Sequence, residues 1–362
     1  METNLSDEEH LLVRKDDIVY NTMRMWQGAS GLADRDGLLS PAYVVLAPKK
    51  GIDPLYASYL FKSPRFIYLF WAYSYGLTSD RLRLYFNDFK SIPVNIPPLP
   101  EQLKVGKIFS TWDKAIDKLE ASIVAKQKRK KALMQQLLTG EKRFPGFEGE
   151  WKEYKLADVV DKNKKWSFTG GPFGSNLKAQ DYTENGVRII QLQNIGDGKF
   201  LDDYKIYTSN KKADELLSCN IYPGEIIISK MGDPVARACF IPDSAERFLM
   251  ASDGIRLAVN EEQFNKKFIH EYINFKIFRK KAIESSTGST RQRIGLDDLR
   301  KLTLLIPELT EQTAIAKLLQ AADNEIATHQ NQLAALKQQK KALMQQLLTG
   351  KKRVKVGGMA IG

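Results

Sequence analysis

The residues in this chain best equipped for chemistry are arginines and amides set beside glycines. "STGSTRQRIG" (Ser286–Gly295) holds Ser289, Thr290, Arg291 and Arg293 between two glycines. An arginine can donate two parallel hydrogen bonds to guanine O6 and N7, and small hydroxyl residues let the backbone approach a phosphate. A polar turn leading into a short helix uses the same residue types, so both readings stay open. "YGLTSDRLRL" (Tyr75–Leu84) repeats the pattern with Arg81 and Arg83, again two apart. "TGGPFGSNLK" (Thr169–Lys178) offers Gly170, Gly171, Phe173, Gly174, Ser175 and Lys178 as a loop whose amides could meet phosphate, or as an ordinary Gly-Pro turn. "QLQNIGDGKF" (Gln191–Phe200) closes a strand with Gln191, Gln193 and Asn194, amides suited to adenine edges but also common at strand ends. Arg188 and Lys230, in the apolar runs "VRII" and "EIIISK", complete the candidate set.

Signatures of catalysis are missing. No G-x-x-x-x-G-K-[ST] phosphate loop occurs, and "TGGPFGS" lacks the lysine. "NIPPL" (Asn95–Leu99) carries Ile96 and no aromatic where an amino-methyltransferase has N-P-P-Y, so it reads as a strand exit. Pro242-Asp243 and Glu153-Tyr154-Lys155 are nuclease-motif fragments in the wrong order and too far apart. His10, His270 and His329 have no metal-ligand spacing. Cys219 and Cys239 suggest neither a metal site nor a disulfide framework, and read as buried thiols of a reducing cytoplasm. The sequence therefore predicts no catalytic residue, no metal and no cofactor.

Charge favours a polyanion. Fifty-five Lys and Arg against 43 Asp and Glu give +12, which points to nucleic acid before membrane. The N-terminus "METNLSDEEHLL" lacks a signal pattern, and no apolar run is long enough to span a bilayer. A chain of 362 residues is expected to form two domains.

The elements that must position these residues occur twice. "KKALMQQLLTG" stands at Lys130–Gly140 and again at Lys340–Gly350, and the upstream "IPPLPEQ" from Ile96 matches "IPELTEQ" from Ile306. Each copy leaves a proline-marked strand, runs without proline to a terminal glycine, and predicts a helix about 55 Å long at ~1.5 Å per residue. A three-four apolar stripe follows Phe109, Trp112, Ile116, Leu119, Ile123, Leu133 and Leu137 in the first copy. The second copy has Leu319, Ile326, Leu333, Leu336, Leu343 and Leu347. That is a coiled-coil seam, interrupted by Lys126, Lys130, His329 and Lys340. Pairing within the chain buries both stripes, in a direction the periodicity leaves open.

Further back, "DDIVYNTM" from Asp16 overlies "GEIIISKM" from Gly224, and "RLRLYFNDFKSIPVNIP" overlies "RQRIGLDDLRKLTLLIP". Residues 151–208 have no counterpart in the first copy. The reading is an α+β chain: a partial first domain (1–95), a long helix and linker (96–148), a complete second domain (149–305), a second long helix (306–350) and a basic tail (351–362) expected to fray.

The duplicated helix starts, the twin helix ends, "EGEWKEYKLADVV", "GGPFGS" and "YPGEIIISKMGD" together resemble the DNA-sequence-specificity subunits of type I restriction–modification enzymes, over roughly residues 1–350. The resemblance implies two mixed α/β target-recognition domains, here with the first incomplete, joined by helices that pair as an antiparallel coiled coil. It implies a non-catalytic subunit that reads a bipartite site on double-stranded DNA and docks two methyltransferase subunits, which bring S-adenosylmethionine, and a restriction–motor subunit. The missing half-domain would come from self-association or from a complementing fragment. A different reading is a truncated scaffold that binds methyltransferase subunits without recognising DNA.

Overall fold

Runs of β-branched residues with no polar interruption make strands buried on both faces. Ile226, Ile227 and Ile228 are such a run and have no exposed surface. The computed structural model describes residues 10–288 and 291–356. These residues divide into two compact units, one built from 10–124 and 327–356, the other from 125–326.

In the second unit Ile226–Ser229 lies between Ala238–Phe240 and Gly254–Leu257, and Gly254–Leu257 pairs on its far side with Phe168–Gly170. A five-stranded sheet runs in the order Asn220–Ile221, Phe248–Met250, Val187–Ile190, Ile206–Thr208, Tyr182–Thr183. A third pair joins Thr303–Ile306 to Lys152–Lys155. Helix Lys266–Ile273 is capped by Asn265, whose Oδ1 accepts from the amides of Lys267 and Phe268 at 3.0 and 3.1 Å. It buries Phe268, Ile269 and Ile273 against the sheet, with Phe278 from the following helix Lys276–Glu284.

The first unit repeats part of this. Ile18–Asn21 is flanked by Ser30–Leu32 and Tyr43–Leu46, and Leu11–Val13 pairs with Gly37–Leu39. Helices Pro54–Phe61 and Pro64–Ala72 each start with proline behind an Asp53 or Ser63 cap. Their core is aromatic: Phe66 and Phe70 pack with Tyr20, Tyr56 and Phe109. One hydrogen bond shows how closely the copies agree. The amide of Leu84 donates to Thr22 O, and that of Ile294 donates to Lys230 O, both at 2.9 Å.

The long helices are Leu99–Leu137 and Leu309–Leu347. In the first unit Glu101 pairs with Arg353, Asp113 with Lys340 and Glu120 with Lys337. As one number rises the other falls, so the helices run antiparallel. In the second unit Lys126 pairs with Glu325, Lys130 with Asp323 and Arg143 with Glu311. The Lys130–Asp323 and Arg143–Glu311 pairs are those of Lys340–Asp113 and Arg353–Glu101 with the copies exchanged, whereas Lys126–Glu325 and Glu120–Lys337 are each particular to one unit. The seam stands out in burial: Phe109, Ile116, Ile123, Leu137, Leu319 and Leu347 are buried. Trp112, Leu119, Leu133, Ile326, Leu333, Leu336 and Leu343 are half-buried.

Two findings differ from the sequence reading. The compact units do not end where the sequence segments do, because each takes the first part of one long helix and the last part of the other. Leu137 and Leu138 thus belong to the second unit's core, and Leu347 and Leu348 to the first unit's. The basic tail is held where it is described: Arg353 donates to the buried Glu101 carboxylate at 2.6 and 2.8 Å, as Arg143 does to Glu311 at 2.6 and 2.9 Å. The seam lysines are themselves ion-paired. Lys130 Nζ lies 3.0 Å from Glu271 and 2.6 Å from Asp323, so the polar interruptions select one register.

Candidate DNA interface

The glycine loop of the second unit leaves strand Phe168–Gly170 at the edge of its sheet. A Cβ on Gly171 would stand 1.8 Å from Ala251 O, and one on Gly170 would stand 3.0 Å from Lys230 Nζ. At Gly171 only glycine allows that approach to backbone, whereas at Gly170 the neighbour is the flexible end of a lysine. The loop lines a pocket of about 620 Å³, shared by Gly170, Gly171, Phe173 and Gly174 with Lys230 and Arg293. It also lines a pocket of about 220 Å³ that takes in Phe173, Gly174, Tyr182 and Gln191. Phe173 itself is four-fifths exposed.

Arg293 is held by a narrow hairpin, in which Thr287 and Arg293 exchange backbone hydrogen bonds at 2.9 Å in both directions. Gly288 at the turn has φ +97°, a conformation that favours glycine. The Arg293 guanidinium forms an ion pair with Asp253. Burial, and then repulsion from Arg293, push the Lys230 ammonium below its ordinary value. The Asp253 carboxylate acts in the opposite direction, and its backbone carbonyl accepts from the Lys230 amide at 2.7 Å. A further anion between the two cations would offset their repulsion.

The sequence-derived candidates do not all gather here. Ser175, Lys178, Gln193 and Arg291 are exposed. Ser289 and Thr290 lie outside the described residues. Two candidates require correction. Arg188 is buried, ion-paired with Asp202 and hydrogen-bonded to Tyr204 O at 3.1 Å, with Phe200 against its guanidinium. Asn194 is fully buried, and its amide donates to Leu201 O and Tyr204 O at 2.9 and 2.8 Å. Both residues fold the loop after strand Val187–Ile190 and present nothing to a ligand.

In the first unit Arg81 and Arg83 sit on the equivalent hairpin, where Tyr75 and Arg83 exchange backbone bonds at 3.1 and 2.9 Å. They line a pocket of about 320 Å³ with Asn21, Arg24, Trp26 and Gln27. Arg24 and Trp26 went unnoticed in the sequence. The signal was available, since both follow directly on a strand end that aligns with Ser229–Lys230.

Cys239 is buried, and burial pushes its thiol up to about 12. Among the described residues no cluster of His, Cys, Asp and Glu is arranged to hold a metal, and no helix is long and apolar enough to cross a membrane.

A duplicated α/β fold, with arginine hairpins beside a glycine loop and ends exchanged through paired helices, defines a class of recognition protein. The model of the type I restriction modification DNA specificity domain matches residues 3–126 and 148–338, and the chain belongs to this family. The MjaVIII type I restriction enzyme specificity subunit of Methanocaldococcus jannaschii is 26% identical over 96% of this chain and 81% of its own. The putative MjaX specificity subunit of that organism is 25% identical over 86% of this chain and 71% of its own. Among solved structures, the type I restriction–modification S subunit from M. genitalium superposes with a TM-score of 0.58 at 16% identity, covering 92% of this chain and 83% of that one. A chain from work on complex assembly and conformational transition of a type I system gives a TM-score of 0.59 at 19% identity, covering 95% and 84%. The role is that of a DNA-sequence specificity subunit, a non-catalytic component of a type I restriction–modification system.

Proposed function

We propose that the second unit reads one half of a bipartite duplex target with the Arg291–Arg293 hairpin, Lys230 and the Gly170–Gly174 loop. Ser175, Lys178, Gln191 and Gln193 extend that surface, and Arg81 and Arg83 with Arg24 form the corresponding face of the first unit. The observation that carries this reading is the convergence of three segments distant in sequence, Gly170–Gly174, Lys230 and Arg293, on one pocket. Cations and a glycine backbone suit phosphate, while the forked guanidinium suits a base edge.

The chain acts in the cytoplasm beside two methyltransferase subunits, which bind the paired helices and bring S-adenosylmethionine and adenine methylation. A restriction–motor subunit joins them for cleavage. The relatives named as type I specificity subunits support this assignment.

The test is selection of duplexes from a random library by the chain assembled with its methyltransferase subunits. A recovered consensus bears the reading out. Co-purification of the subunits with no enriched sequence would favour a scaffold in its place.

A further inference from the structure

The second unit carries a pocket that the assignment of DNA contacts leaves unused. It measures about 420 Å³, and Ile226 and Leu257 form part of its lining. That volume falls within the roughly 300–1,000 Å³ of small-molecule sites. Ile226 and Leu257 are partners in register at one end of a strand pair, and Ser229 and Gly254 are partners at the other, beside Lys230 and Asp253. Three residue steps of about 3.3 Å place the pocket roughly 10 Å along the sheet from the proposed DNA contacts.

Part of its wall is a loop pinned to a single residue. Asp161 N donates to Ala258 O at 2.9 Å, and Ala258 N donates to Ser167 O at 2.8 Å, so the chain between them leaves and rejoins the sheet at one point. The loop brings Lys164, Lys165 and Trp166 to the pocket. Trp166 has φ +57°, a conformation that bulky residues rarely adopt, and yet its side chain is 47% exposed. Strain that is not offset by burying the ring points to a use for the ring at the surface.

The rest of the wall pairs an aromatic ring with a buried cation. Tyr222 is 38% exposed, and the Arg256 guanidinium lies 4.9 Å from its ring centre. Arg256, only 4% exposed, donates to both oxygens of Glu225 at 2.7 and 2.8 Å. The fold does not require this arginine. In the first unit Asp17 holds the equivalent turn by accepting from Arg14 N at 2.8 Å, as Glu225 does from Tyr222 N at 3.0 Å, but the position of Arg256 is taken by Val45. Lys266 reaches the rim beside Gly224, 3.1 Å from Glu261, and Lys165 has no ion pair among the described residues. Four cations and two carboxylates thus line a pocket that also exposes two aromatic rings.

We infer that this pocket binds a nucleoside phosphate. The base stacks on Trp166 or Tyr222, and the phosphate meets Lys164, Lys165 and Lys266 as point charges. An inorganic anion would leave the rings unused, and an uncharged aromatic would leave the lysines unused. A free nucleotide suits the site better than a nucleotide within a strand, because the pocket lies away from the proposed DNA face. The inference stands apart from the assignment of DNA contacts.

The experiment is calorimetric titration of the full chain with adenosine monophosphate, adenosine, inorganic phosphate and a short oligodeoxyadenylate. Adenosine monophosphate should bind with a millimolar or tighter Kd, and adenosine and phosphate each about tenfold more weakly or worse. Trp166→Gly removes the ring and suits the left-handed backbone, so the loop keeps its course. It should weaken the nucleotide about tenfold, as loss of one base–aromatic stack does, while Trp166→Phe retains most of the affinity. Lys165→Ala should weaken the nucleotide and reduce the salt dependence of its binding. No heat with adenosine monophosphate, equal affinity for phosphate, or unchanged affinity in Trp166→Gly would each overturn the inference. Tighter binding of the oligonucleotide, lost in Trp166→Gly, would overturn it in favour of a nucleic-acid strand. Duplex selection by Trp166→Gly should match that of the parent chain, so failure of the DNA assignment would be seen separately.

Discussion

Lys130 and Asp323 meet at 2.6 Å on facing long helices, and Lys340 and Asp113 make the same ion pair with the two copies exchanged. The third member differs. Where the first unit has Tyr59, whose hydroxyl donates to Asp113 at 2.6 Å, the second has the buried carboxylate Glu271 with an added cation, Lys267, at 2.6 Å. A single ion pair joined by a tyrosine hydroxyl in one copy has become a network of two lysines and two carboxylates in the other.

That difference predicts unequal mutants. Lys130→Met removes a cation from both Glu271 and Asp323 and should cost the second unit about 2–3 kcal/mol, below the full penalty for breaking a buried pair because Lys130 still reaches solvent. Lys340→Met should cost the first unit clearly less. Urea unfolding followed by exchange at residues of each unit separates the two effects, and equal costs would contradict the triad comparison.

Acid should act on the same network. Burial alone would raise the Glu271 carboxyl, but His270, Lys130 and Lys267 outweigh it and hold its ionisation below the ordinary range. For a carboxyl depressed in the fold, the stabilisation is complete above the unfolded value of about 4.3 and drains away as pH falls below it. Glu101, lowered first by its hydrogen bonds from Arg353, shifts in the same direction in the first unit. Thermal midpoints taken between pH 7 and pH 3 should drop steeply below about pH 4.5. In Glu271→Gln that slope should be shallower and the midpoint at neutral pH lower.

The glycine loop offers a sharper contrast. Gly171→Ala forces a Cβ against Ala251 O, whereas a Cβ on Gly174 meets nothing within 4 Å. The first substitution should displace the loop and weaken DNA binding tenfold or more, about 1.4 kcal/mol, with the second close to wild type. Filter binding of both variants to one duplex would decide it.

Cations at the interface should separate by salt dependence. Lys230→Ala should reduce the slope of log K against log salt by about 0.9, the signature of one phosphate contact. Arg291→Ala with Arg293→Ala should cost about 1–3 kcal/mol and relax sequence preference if the hairpin touches bases. Titrations on cognate and scrambled duplexes at several salt concentrations distinguish these outcomes.

Much of this was legible in the residues, for identifiable reasons. The apolar stripe at three-four spacing marked the helices because a long exposed helix must bury such a stripe. "EQ" after each proline exit was visible as a repeat, but its meaning depended on contacts far along the chain. Gln102 and Gln312 stitch the helix start by donating to Pro97 O and Pro307 O at 2.8 and 2.9 Å, while Glu101 meets Arg353, 252 residues later, and Glu311 meets Arg143, 168 residues earlier. Periodicity alone leaves the helix direction open; the family resemblance implies antiparallel pairing, and these ion pairs run that way. At the interface, residue type misled where burial decides. Arg188 and Asn194 look like readers of bases, yet both are consumed by carbonyls and a carboxylate of their own loop. Asp253 could not be foreseen beside Arg293, since only the pairing of Ile226–Ser229 with Gly254–Leu257 brings it there.

The exchanged helix ends bear on how such a chain can change. Leu137 and Leu138 plug the floor of the second unit while the identical Leu347 and Leu348 plug the first. A foreign recognition module spliced in at either position would therefore meet the same plug it left behind. Novel combinations could arise by cutting and rejoining within the eleven shared letters, with no core to redesign at the junction.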